Sequence, residues 1–82
     1  MGKLPPVSGK ELCRALERDG YKPVRQVGSH RIYQKQSDDE VITVPVPVHA
    51  NRPLKRGTLF GILRKAGITR ERLSFLLTVL FG

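Results

Sequence analysis

"RIYQKQSDDEVITVPVPV", residues 31–48, is the stretch whose reading decides the fold. Two extended runs, 31–36 and 41–48, flank the acidic group Ser37-Asp38-Asp39-Glu40, so the segment reads as two strands joined by a tight turn. Just upstream, "YKPVRQV" at 21–27 reads as a third strand. Pro23, Pro45 and Pro47 have no N–H to give to a ladder, which assigns them to strand ends or edges.

Helical signals lie on both sides of these strands. Ser8 as N-cap with Glu11 three residues later forms a capping box, and Val7 and Leu12 supply the flanking hydrophobic staple. The spacing predicts a helix to about Asp19, closed by Gly20. Leu12, Ala15 and Leu16 make its apolar stripe, and Cys13 beside them reads as a small core residue rather than a nucleophile. In "LKRGTLFGILRKAG", Leu59, Ile62, Leu63 and Ala66 recur at helical spacing before Gly67. A last helix starts at the N-cap Thr69, with Ile68 and Leu73 as staple and Leu73, Leu76, Leu77 and Leu80 as stripe. The order α-β-β-β-α plus a C-terminal helix predicts a single α+β domain over 1–82. Its three-stranded antiparallel sheet carries the helices on one face and leaves the other free.

A chain of 82 residues hides a modest core, so any chemistry belongs on an open face rather than in a deep cleft. Fifteen Lys and Arg against 7 Asp and Glu give a net charge of +8, more than solubility requires. Three of the acidic residues, Asp38 to Glu40, are adjacent in sequence, so the rest of the surface is more basic still. The charge fits a polyanion: nucleic acid first, an acidic protein second, an anionic membrane surface third. One cysteine excludes an internal disulfide, and with two histidines it falls short of a four-ligand zinc site, so no metal or small-molecule cofactor is expected. No apolar run has the length of a signal peptide or a bilayer span, and the expected location is cytoplasmic.

Alternation in the second strand sets Arg31, Tyr33 and Lys35 on one face and His30, Ile32 and Gln34 on the other. Two cations around an aromatic suit phosphate binding with base stacking. A solvated strand with a half-buried Tyr explains the same pattern. Sharing a face with Ile32 argues for a packed His30. The preceding Gly28-Ser29 step can redirect the backbone, which keeps a functional His30 open. Lys55 and Arg56 oppose the macrodipole at the start of the second helix, a cost that a docked phosphate would offset. Arg64 and Lys65 sit in its last turn, where cations are favourable without a ligand. His49 falls in the loop after the sheet, where simple exposure is the plain expectation.

"GSHRIYQ" followed by "VITVPVPVHANRPLKRGTLFGILRKAGI" resembles the HicA (YcfA-like) toxin family. In that family a Gly-Ser-His-x-x-Tyr strand precedes a Val-Pro-x-His segment and a Lys-x-Gly-Thr-Leu helix. The likeness runs from about residue 8 to residue 69. The chain departs from the pattern in Ala50, where Gly is common, in Pro53, where an acidic residue is common, and in a fuller C-terminal helix. The resemblance implies a double-stranded-RNA-binding-domain-like fold, metal-independent cleavage of mRNA, and neutralisation by a HicB-type antitoxin. It also implies that His30 is the catalytic histidine. Imidazole titrates near pH ~6.5 and can act as acid or base on an RNA phosphodiester. Ser29, Arg31, Tyr33, Lys35, His49, Lys55 and Arg56 are then the expected RNA contacts. Two other classes stay open: a non-catalytic double-stranded-RNA-binding module of the same fold, and a protein-interaction module with an acidic partner.

Overall fold

Ser8 starts the first helix as expected. In the computed structural model, which describes residues 4–49 and 51–78, its hydroxyl accepts from the Glu11 N–H at 3.2 Å while the Glu11 carboxylate accepts from the Ser8 N–H at 2.9 Å. This reciprocal cap opens α1, Gly9–Arg18, which buries Leu12, Cys13, Ala15 and Leu16. Gly20, at φ 103, turns the chain into the sheet through a backbone conformation that side-chain-bearing residues avoid.

The strands are β1 (Lys22–Val27), β2 (His30–Ser37) and β3 (Glu40–Pro47), antiparallel in the order β1-β2-β3. Two-residue turns join them. Val27 pairs with His30 around Gly28, whose φ is 59, and Ser37 pairs with Glu40 around Asp38, whose φ is 50. Gly and Asp are among the residues that tolerate the positive φ such hairpin turns demand. Pro23 is the second residue of the edge strand β1 and is followed by a register shift before Arg25, while Pro45 and Pro47 lie on the other edge strand, β3, as their missing donors require.

α2 spans Arg56–Ala66 and buries Leu59, Ile62, Leu63 and Ala66, ending at Gly67 in the left-handed region. α3 spans Arg70–Thr78, with the Thr69 hydroxyl accepting from the Arg72 N–H at 3.0 Å and Leu73 and Leu76 buried. Leu80 lies outside the described residues. α1 and α2 pack against the sheet, and α3 packs on α1. The core joins Val7 and the helix stripes to Tyr21, Tyr33, Val44 and Val46. The fold is the expected α+β arrangement, with one sheet face covered by helices.

The register decides which face that is. Arg31 pairs with Val46, Tyr33 with Val44 and Lys35 with Ile42, so the Arg31-Tyr33-Lys35 side faces the helices. His30, Ile32 and Gln34 do share the other side, where Ile32 is itself buried, outside the main core cluster. The packed-histidine expectation is corrected: His30 is exposed between Val27 and Pro47.

Candidate functional site

The corner where the β1–β2 turn meets the loop after β3 gathers the candidate residues. Ser29 holds it in two ways. Its carbonyl accepts from the Val48 N–H at 2.8 Å, and its hydroxyl lies 3.5 Å from His49 Nε2. The loop after β3 is fixed from the opposite side by the Leu54 N–H, which donates to the Val7 carbonyl at 2.8 Å. His30 follows Ser29 directly, so both histidines of the chain belong to this corner, His30 on the sheet face away from the helices and His49 on the adjoining loop.

His49 also lines an open cavity of about 430 Å³ with Pro47, Arg52, Pro53, Leu54, Lys55 and Thr58. Arg52 enters it because its N–H donates to the His49 carbonyl at 3.1 Å, a turn that brings the two residues to the same side. Lys55 is the N-cap of α2. No side chain caps this terminus and its first turn holds no acidic residue, so backbone N–H groups, Lys55 and Arg52 present positive charge together. Arg56 lies one residue further on and stacks its guanidinium 5.3 Å from the Phe60 ring.

Three expected contacts are elsewhere. Tyr33 is fully buried and its hydroxyl donates to Glu17 at 2.6 Å, which leaves no ring face for a base. Burial, followed by that hydrogen bond, pushes its hydroxyl well above the ordinary tyrosine range. Lys35 bonds Asp19 at 3.2 Å and lies 5.4 Å from the Tyr21 ring. Arg31 is half-buried on the same helix-covered side. These three make up the wall between sheet and α1, and the site assembles without them. Cys13 is buried, with its thiol pushed up by desolvation, as befits a core residue.

Of the expected residues, Ser29, His30, His49, Lys55 and Arg56 form the candidate site, and the fold adds Arg52 to its cavity. The sequence does carry a signal for Arg52, which lies three residues after His49 in a loop rich in turn formers. Among the described residues no group of three or more His, Cys, Asp and Glu side chains comes together, and no helix is long and apolar enough to cross a membrane. The arrangement offers two imidazoles for proton transfer and a cationic cavity for a phosphate. The profile of a family described as HicA toxin of bacterial toxin-antitoxin matches residues 9–68. Nothing among curated proteins matches the chain.

Proposed function

The chain belongs to the HicA toxin family, and from that premise we propose that it is a metal-independent endoribonuclease that cleaves mRNA, with His30 as acid–base catalyst. Members of the family are toxins of toxin–antitoxin systems, generally ribonucleases, and an antitoxin partner goes with such a toxin. We assign that partner to the HicB type. The whole chain is taken as one toxin domain acting in the cytoplasm.

The observation that carries the reading is the exposure of His30 at a corner that also holds His49 and a cationic cavity. Cleavage of RNA through its own 2′-hydroxyl needs a base to remove that proton, an acid to protonate the 5′-oxygen as it leaves, and cations for the charge growing on phosphorus. His30 serves one proton transfer. His49 is the side chain at this corner suited to the other, since Lys35 is held by Asp19 on the opposite sheet face. Arg52, Lys55 and Arg56 supply the charge.

The test is incubation of wild type and His30→Ala with single-stranded RNA in EDTA. Wild type cleaves and the variant binds without cleaving. Activity that disappears in EDTA and returns with Mg²⁺ would overturn the metal-independent reaction. RNA bound and left intact by the wild type would favour a non-catalytic binding module instead.

A further inference from the structure

Phe60 of α2, half-buried against the core, holds two guanidinium groups at once: Arg56 at 5.3 Å and Arg70 at 4.8 Å from the ring centre. A cation over an aromatic face is attracted by the ring quadrupole, and here one ring gathers two of them. Neither arginine forms an ion pair among the described residues, where the two carboxylate pairs both go to Asp19. The platform borders a groove lined by Leu4, Pro5, Pro6, Leu54 and Phe60. Pro53 and Leu54 line both this groove and the His49 cavity, and Lys55 on one side is followed in sequence by Arg56 on the other. A cationic path thus runs from the candidate site past Pro53 and Leu54 to a cluster of two guanidinium groups around one aromatic ring.

We propose that this path is a subsite for single-stranded RNA flanking the scissile phosphate, with a base stacked on the Arg56-Phe60-Arg70 platform. The assignment rests on the ribonuclease reading above. Its occupant follows from chemistry: a nucleotide offers both a planar base to stack on the platform and a phosphate for the cations along the path. The net charge of +8 favours the same polyanion.

The experiment compares kcat/KM for a minimal RNA substrate with that for substrates extended by about four nucleotides on the 5′ or the 3′ side. One extension raises kcat/KM on the order of tenfold, mainly through KM, as base–aromatic stacking would. That gain falls toward one in Phe60→Leu, which keeps apolar packing against the core but removes the ring, and in Arg70→Ala, which touches only an exposed side chain. No gain from either extension, or a gain kept in both variants, overturns the subsite.

If wild type cleaves none of these RNAs, it is the ribonuclease reading that fails. Fluorescence anisotropy of the same oligonucleotides then decides the platform: affinity that rises with length and loses that rise in both variants supports it, and length-independent affinity overturns it. Variants that lose affinity for a Glu- and Leu-rich peptide while keeping the full RNA gain would hand the groove to an acidic protein segment, and that also overturns the proposal.

Discussion

At the scale of single residues, His30 and Tyr33 exchange the roles that their types suggest. The histidine is exposed and the tyrosine buried. His30→Ala should change stability by no more than ~0.5 kcal/mol, as for other exposed positions, while cleavage falls by ~10²–10⁴. Melting temperature and single-turnover cleavage on one sample check this, and a large loss of stability would return His30 to a structural role. Tyr33 makes a different prediction. Its hydroxyl, like that of Tyr21, is shifted above the ordinary value of 10.0, primarily by burial. A group whose folded pKa exceeds its unfolded one stabilises the fold fully below the unfolded value, and that contribution is lost as pH climbs through the window above it. Cys13 acts in the same direction from 9.0 upward. The melting temperature should therefore start to fall above about pH 9 and fall more steeply beyond about 10, where Tyr33→Phe should fall less steeply than wild type. Equal slopes for the two proteins would mean that the Tyr33 hydroxyl titrates alike in the folded and unfolded chains and is not linked to folding.

Elements meet at points of close approach, and one of these lies at the start of α1. A Cβ on Gly9 would overlap the Pro47 carbonyl oxygen, so the helix can approach the end of β3 only because residue 9 has no side chain. Gly9→Ala should destabilise the protein by ~1–3 kcal/mol, the usual cost of forcing an extra group into a packed contact, despite the better helix propensity of Ala. Chemical denaturation measures it, and a stabilised Gly9→Ala would show that α1 has room to move. The contact also matters for the site, because Pro47 pairs with His30 and leads to His49. The capping box of α1, the Thr69 cap of α3 and the glycine ends of α1 and α2 were legible in the sequence since they are local: Ser8 and Glu11, or Thr69 and Arg72, are three residues apart. The role of Gly9 was not, because its reason is a carbonyl 38 residues away in sequence.

For the whole molecule, charge is the property read most directly, and where it is free decides binding. Single-stranded RNA affinity should fall with salt, with a log–log slope of ~0.7 per phosphate neutralised. Lys55→Ala should flatten that slope by about 0.7, whereas Lys35→Ala should leave it unchanged, because Lys35 already neutralises Asp19. Equal effects of the two variants would dissolve the distinction between the two sheet faces. The sequence alone determined the element order, the turns, the helix stripes and the separation of β2 into two sets of side chains, since each follows from spacing within a few residues. It also pointed to His30, through motifs that lie close together in the chain. Alternation, however, divides a strand into two faces without saying which is inside. That was decided when the two-residue Asp38-Asp39 turn set Tyr33 opposite Val44 and Lys35 opposite Ile42, so that the valine-rich side of β3 carried Arg31, Tyr33 and Lys35 toward the helices. Burying that larger shared apolar surface sets which side meets the helices, Ile32 is still buried on the opposite one, and the same choice exposes His30. Only the tertiary structure, through contacts between residues distant in sequence, could bring Ser29 to His49, draw Arg52 into the cavity and lay two arginines on Phe60.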